Sequence, residues 1–313
     1  MKNFVIMVDA TCDLSEELRK QYDIIDIPSH IILPGGKDIP SFHEWKEYSR
    51  DQFYADLKAR PDDYTTAPPN AAEFELAFEP YAAKGVGILV LTISTGISGT
   101  YDFALQGKKE VLNKYPDATI HCVDSQRFGP ASGLLAIYAS MLREKGQTLD
   151  EVYAFIEENK NRLHQAGWLD DLSFVAKRGR MTHAKAFFGT LVGIKPIGEF
   201  DYNGMTTVIG KAKGAKAAYE LLLQYIGKTI KAPEEQIIVI AHTNRLAQAE
   251  AYRDMLEKTF HPKQILILDV FPMCGISVGP GLMAAYYMGT PISQGLVEER
   301  KIIEDCQKGD PGK

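Results

Sequence analysis

Four hydroxyl side chains, Ser94, Thr95, Ser98 and Thr100, fall within seven positions, interleaved with Gly96 and Gly99 and placed directly after the apolar run Val86 to Ile93. Hydroxyls donate to an oxyanion, and glycine lets backbone N–H groups approach one. The apolar run is short, rich in β-branched residues and bounded by Gly85 and Gly96, which predicts a buried strand of a parallel sheet. Beyond it Tyr101, Ala104, Leu105, Lys108, Val111, Leu112 and Tyr115 recur at helical spacing, so a helix opens near Ser98 or Thr100. The unpaired N–H groups and dipole of that helix start favour a negative charge beside the hydroxyls. A helix cap needs one hydroxyl, not four. The segment is neither a phosphate loop of the Gly-Lys-Ser/Thr type nor a nucleophile elbow, because no such tripeptide follows and the residue two after Ser98 is Thr100. The chemistry expected here is therefore binding of an anion.

The flanking segments supply the elements that would position this turn. Phe4 to Val8 reads as a strand ending in Asp9-Ala10-Thr11-Cys12-Asp13, followed by a short helix opened by Ser15-Glu16-Glu17. Ile24 to Ile32 is strand-like but broken by Pro28, Glu44 to Lys58 carries Trp45, Tyr48 and Phe53 on a helical pattern, and Tyr64 to Asn70 is a rigid polar loop before a helix starting near Ala71. Thr119 to Val123 is a further strand ending in Asp124-Ser125, and Gly133 to Arg143 an apolar helix. Thr148 to Glu151 is a capping box opening a helix to about Leu163. This alternation of strand and helix implies a parallel sheet with helices on its faces.

With 313 residues and 45% apolar content, the chain is long enough for two domains with sizeable cores. A net charge of −6 without clustered Lys/Arg argues against nucleic acid as a partner, and no apolar stretch approaches the ~20 residues of a membrane span. The N-terminus lacks the pattern of a signal peptide, and the four cysteines (Cys12, Cys122, Cys274, Cys306) form no C-x-x-C pair, so neither a metal site nor a disulfide framework is expected, and the cytoplasm is the expected location.

The texture changes after Gln165-Ala166-Gly167-Trp168, which places a domain boundary there, giving domains 1–166 and 167–313. The second half begins with a short apolar segment running into Lys177-Arg178-Gly179-Arg180. Asn203-Gly204 signals a hairpin between Ile194-Lys195-Pro196-Ile197 and Met205 to Ile209. Ala215 to Lys228, Ile237 to His242, Leu246 to Phe260 and Gln264 to Val270 then alternate helix and strand, which implies a mixed-sheet α/β domain. Gly279-Pro280-Gly281 precedes an apolar stretch, Leu282 to Met288, read as a helix ended by Gly289, and the charged tail after about residue 289 is expected to fray.

Several of these marks together resemble the DegV family of bacterial fatty-acid-binding proteins, over roughly residues 3 to 288. They are Asp9 to Leu14, Thr66-Ala67-Pro68-Pro69-Asn70, Ser94 to Tyr101, Lys177 to Arg180, Ile194 to Ile197 and Gly279-Pro280-Gly281. The resemblance implies a two-domain α/β protein that is not itself an enzyme. Such a protein holds one long-chain fatty acid between its domains and presents the carboxylate to a separate fatty-acid kinase, which makes the acyl phosphate. It needs no cofactor or metal. Its N-terminal domain would carry the hydroxyl-rich carboxylate site and its C-terminal domain the apolar tunnel, walled by residues such as Phe187, Phe188, Leu191 and Ile194.

On this reading Thr66, Ser94, Thr95, Ser98, Ser277, Gly279 and Gly281 are the expected fatty-acid contacts, with Thr65, His242, Arg180 and Lys177 as further ligand or partner contacts. Two donors depart from the family pattern: Ser277 stands where a histidine is usual, and Ala67-Pro68 replaces Ser-Gln. The Lys177/Arg178/Arg180 cluster would form a rim that meets an acidic or nucleotide-loaded partner. Two other readings stay open, a phosphotransferase acting on a small hydroxylated substrate and a carrier of a different amphipathic acid. Transient contact with a membrane surface is compatible with all three.

Overall fold

The computed structural model describes residues 4–46, 48–182 and 193–308. The chain divides into two compact units. The first comprises residues 1–48, 60–160 and 271–276, the second 49–59, 161–270 and 277–313.

In the first unit, β1 (Phe4–Asp9), a 3-10 turn (Ala10–Cys12), α1 (Glu16–Tyr22) and β2 (Ile24–Ile27) lead into a small antiparallel sheet of β3 (His30–Ile32), β4 (Asp38–Pro40) and β5 (Thr65–Ala67). The chain makes one excursion between β4 and β5, where α2 (Arg50–Ala59) belongs to the second unit. Helix α3 (Ala71–Ala82), β6 (Gly87–Thr92), α4 (Thr100–Lys114), β7 (Ile120–Asp124), α5 (Pro130–Glu144) and α6 (Leu149–Asn159) complete the first unit's main layer. Its sheet has the order β2-β1-β6-β7 with every pair parallel, as the strand–helix alternation predicts. Strand β6 lies between two neighbours and is buried over its whole length, which explains its unbroken apolar run. Phe74 and Phe78 of α3, Ala104 and Val111 of α4, and Met7, Ile88 and Val90 of the sheet form one core. Gly107 lets α4 close on α3, since a Cβ there would stand 2.6 Å from that of Phe74.

The second unit is built on a mixed seven-stranded sheet in the order β13-β12-β14-β8-β10-β11-β9. In chain order these are β8 (Leu163–Leu169), β9 (Met181–Thr182), β10 (Ile194–Phe200), β11 (Thr206–Lys213), β12 (Ile237–His242), β13 (Gln264–Asp269) and β14 (Leu282–Met288). The helices are α7 (Ser173–Arg178), α8 (Gly214–Thr229), α9 (Leu246–Phe260), α10 (Pro272–Val278) and α11 (Val297–Lys308), of which α10 contributes its last residues here and Pro272 to Ile276 to the first unit. The Asn203-Gly204 signal does close an antiparallel pair, β10 with β11. Helix α2 is held in this unit by Arg50, whose guanidinium lies 2.8 Å from Asp269, and by the Tyr54 hydroxyl, which donates to the Val270 carbonyl at 2.6 Å.

Four expectations change. Leu282 to Met288 is not a helix but strand β14, paired with β12 and β8 in the middle of the sheet. An apolar run of that length suits a buried strand and a buried helix equally, and only pairing decides between them. The tail is not frayed over its described part: α11 buries Ile303 against Gly210, where a Cβ would meet Ile303 at 2.4 Å, and the buried Glu299 accepts from the Ser293 N–H at 2.9 Å. The helix expected over 44–58 starts at Arg50, and the described residues 44–46 and 48 lie before it. The break expected after residue 166 falls inside β8; the change of unit comes after Lys160, at the end of α6.

Candidate functional site

The hydroxyl turn sits at the carboxyl end of β6, where ligands of parallel α/β sheets bind. Two carboxylates from the neighbouring strand ends pin it. Asp9, ending β1, accepts from the Ile93 N–H at 2.6 Å and from the Thr11 N–H and hydroxyl. Asp124, ending β7, accepts from the Thr95 hydroxyl at 2.6 Å, the Thr95 N–H at 3.2 Å and the Gln126 N–H at 2.9 Å. The Ser94 N–H is held by the Arg127 carbonyl at 2.9 Å. Burial pushes the Asp9 carboxyl above the ordinary range, against the lowering effect of its three donors.

Within that frame the four hydroxyls differ. Ser94 is fully buried and its Oγ accepts from the Gly96 N–H at 3.1 Å, with no acceptor for its own hydrogen among the described residues. Ser98 and Thr100 lie 2.9 Å apart and share one hydrogen, which leaves one hydroxyl hydrogen over. Thr95 is exposed and its hydrogen is committed to Asp124. None of the four caps α4, whose N-cap is Gly99 without a side-chain bond. The first turn of a 15-residue helix therefore presents its N–H groups beside hydroxyls that still have hydrogens to donate.

The other expected contacts are placed as follows. Thr65 is exposed and Thr66 half-buried on β5, opposite Ile32 and Ile31 of β3, while Asn70 rather than either threonine caps α3 through a capping box with Glu73. In the second unit, Ser277 is half-buried near the end of α10. His242 is a buried histidine whose Nδ1 accepts from the Arg245 N–H at 3.3 Å and lies 3.6 Å from Asp269; burial holds its pKa below the ordinary value, against the pull of that carboxylate. Lys177 and Arg180 are exposed around Gly179, which takes the left-handed conformation (φ 68°) and ends α7, and Arg180 donates to the Arg178 carbonyl. Phe187, Phe188 and Leu191 lie outside the described residues, and Ile194 opens β10 half-buried.

The model of the DegV family, described as "Uncharacterised protein, DegV family", matches residues 3–289. The chain belongs to the DegV family. A DegV domain-containing protein of Clostridium perfringens is 34% identical over 289 residues, covering 92% of this chain and 98% of the relative. The fold is shared with a DegV lipid binding protein of Thermotoga maritima (TM-score 0.80, 24% identity, 93% of this chain and 99% of the other). It is shared too with the Fatty Acid Kinase (Fak) B3 protein of Streptococcus pneumoniae, solved loaded with linoleic acid (TM-score 0.77, 21% identity, 91% and 99%).

Several DegV marks gain a local physical reason. Asp9 and Thr11 tie β1 to the end of β6, and Asp13 accepts from the Phe271 N–H at 2.9 Å from a left-handed backbone (φ 51°). Gly279 and Gly281 both have positive φ (74° and 99°), and a Cβ at Gly279 would lie 2.4 Å from the Phe174 ring. The carboxylates Asp9 and Asp124 are site-building residues that the hydroxyl pattern alone does not reveal. Their signal in the sequence is the recurrence of a carboxylate at the end of an apolar strand.

Proposed function

We propose that this DegV protein binds a long-chain fatty acid, with the carboxylate at the turn after β6, and presents it to a separate fatty-acid kinase. The observation that carries this reading is a buried Ser94 hydroxyl hydrogen without an acceptor among the described residues, a few positions before the start of α4, whose N-cap Gly99 makes no side-chain bond. A carboxylate there would accept charge-assisted bonds from Ser94, from the Ser98/Thr100 pair and from first-turn N–H groups, with Thr66 as a further donor and Thr95 fixing the turn. Burying the tail would add roughly 0.8 kcal/mol per CH₂ and so supply most of the affinity. The pneumococcal protein that shares the fold, a fatty acid kinase component loaded with linoleic acid, supports both the ligand class and the kinase as partner. On this reading the chain is a carrier and the kinase supplies the chemistry. No described helix is long and apolar enough to cross a membrane.

Native mass spectrometry of the protein as expressed in bacteria tests the proposal. A retained mass of a fatty acid is expected, lost in the Thr66→Val/Ser94→Ala double variant. Full loading of that variant would place the carboxylate elsewhere, and an empty wild-type chain that takes up no added fatty acid would refute the carrier role.

A further inference from the structure

Outside the hydroxyl turn, the first unit gathers a second set of chemistry-bearing side chains. Cys12 lies in the 3-10 turn after β1, Asp26 on β2 and His43 just after β4, and one ligand atom from each lies within 4.8 Å of the others. The ring of His43 is oriented by its Nε2, 2.8 Å from the Ala10 carbonyl oxygen. A carbonyl only accepts, so Nε2 carries the hydrogen and Nδ1 offers a lone pair. That lone pair lies 3.5 Å from Asp26 Oδ2, itself an acceptor. The Asp26 side chain is 10% exposed, yet its Oδ1 is buried without a hydrogen-bond partner. Two acceptors and a buried thiol thus converge with only the weakly donating thiol hydrogen to join them, an arrangement a cation resolves.

We propose that Cys12, Asp26 and His43 form a binding site for a divalent transition-metal ion of the zinc type, with a fourth position open to water. One sulfur, one imidazole nitrogen and one carboxylate oxygen suit a borderline-soft ion rather than magnesium or calcium. Tetrahedral bonds of ordinary length put such ligand atoms roughly 3.3 to 3.6 Å apart, a separation the His43–Asp26 pair already has and Cys12 reaches by a small inward shift. As the metal–sulfur bond forms, the Cys12 proton leaves to solvent, and thiolate and carboxylate together balance the dication. The Ala10 carbonyl is the outer-shell acceptor that fixes the imidazole. Arg19 also lies 3.5 Å from Asp26 Oδ2, the oxygen that faces His43, so guanidinium and ion would share that carboxylate, whose Oδ1 has no hydrogen-bond partner among the described residues. Asp26 and His43 line a cleft of about 560 Å³ with Arg19, Lys37 and Glu44, and this gives ion and water a path in.

Cobalt(II) titrated into the metal-free full-length protein tests the site. A thiolate-to-cobalt charge-transfer band is expected, saturating at one equivalent and displaced by zinc. Cys12→Ser should abolish the band, Asp26→Asn should weaken cobalt binding at least tenfold, and Cys274→Ser should keep both. Absence of the band in the wild type, its persistence in Cys12→Ser, or unchanged affinity in Asp26→Asn each overturns the assignment. Should Cys12→Ser not fold, Asp26→Asn decides alone. Fatty-acid loading, measured by native mass spectrometry on the same preparations, reports separately on the carrier proposal, so failure of one leaves the other standing.

Discussion

Ser94 and Thr95 are neighbours of similar chemistry in opposite surroundings, and the proposed function gives them opposite tasks. Ser94 is fully buried and its hydroxyl hydrogen has no acceptor among the described residues, which on the proposed reading leaves it for the ligand, whereas Thr95 is exposed and gives its hydrogen to Asp124 at 2.6 Å. Loss of a hydrogen bond to a charged acceptor costs about 1.5 to 3 kcal/mol, so Ser94→Ala should weaken fatty-acid binding roughly 10- to 150-fold. It also removes the acceptor of the Gly96 N–H at 3.1 Å, which should lower stability by about 1 kcal/mol. Thr95→Val removes a bond within the turn. Because that bond is solvent-screened, it should cost about 1 kcal/mol of stability and change affinity by less than about threefold. The assay is isothermal titration of delipidated protein with a soluble fatty acid, paired with urea unfolding of the same variants. If Thr95→Val lost affinity as severely as expected for Ser94→Ala, while Ser94→Ala bound like the wild type, the division of roles between these hydroxyls would be wrong.

Three further outcomes are expected. Arg180→Ala should leave the fold and loading unchanged, since among the described residues its side chain donates only to the Arg178 carbonyl, and should slow acyl-phosphate formation by the kinase, an effect that salt should imitate; equal rates at low salt with equal loading would remove Arg180 from the docking surface. The buried Glu199 carboxylate accepts from His164 Nδ1 at 2.8 Å, the Tyr225 hydroxyl at 2.8 Å, and the Gln165 and Phe200 N–H groups at 2.6 and 2.7 Å, so Tyr225→Phe should cost about 1.5 to 3 kcal/mol in chemical denaturation, and a loss below about 0.5 kcal/mol would contradict that network's importance. His30 lies 3.0 Å from Glu73 and 3.2 Å from Asp38, and chiefly the Glu73 bond raises its pKa in the folded protein, so its stabilising contribution is present below about pH 6.5 and lost as pH rises through the raised value. His30→Gln should remove that alkaline-side loss, and stability profiles that run parallel for the two proteins would refute the assignment.

What the sequence made legible follows the range of the physics involved. The buried strand β6, the capping box at Thr148 and the Asn203-Gly204 hairpin depend on residues within a few positions of one another, and they appear where local chemistry puts them. Leu282 to Met288 was illegible because its partners β8 and β12 lie far away in the chain. The excursion of α2 was hidden for the same reason: Arg50 and Tyr54 read as ordinary helix residues until Asp269 and Val270 stand opposite them. The site divides along this line. The hydroxyls and the helix start were visible as a pattern, but which hydrogens remain free depends on Asp124, which follows Thr95 by 29 positions. The metal-type cluster was masked in the same way, since no ligand spacing in the sequence links Cys12, Asp26 and His43, and β1–β2 pairing and the fold of the segment after β4 bring them together.

The charges around the hydroxyl turn also weigh between a carrier and a phosphotransferase. The turn is held by carboxylates on both sides, Asp9 and Asp124. Asp9 has both carboxylate oxygens engaged, accepting from the Thr11 N–H and hydroxyl and from the Ile93 N–H. Asp124 has its acceptors filled by Thr95 and Gln126, but it still places acidity beside the turn. The cation nearest to it by hydrogen bonding, Lys160, donates to the Asp124 backbone carbonyl at 2.9 Å and is paired with Glu157 at 2.8 Å. Repulsion scales with the charge of the ligand, so a phosphate dianion loses about twice what a carboxylate loses at the same distance. A phosphoryl-transfer centre collects cations for this reason. On the proposed reading, the acidity of Asp124 beside the turn weighs less against a carboxylate than against the same chain once it carries a phosphate. A carrier that holds the acid more tightly than the acyl phosphate releases its product, which is what service to a separate kinase requires.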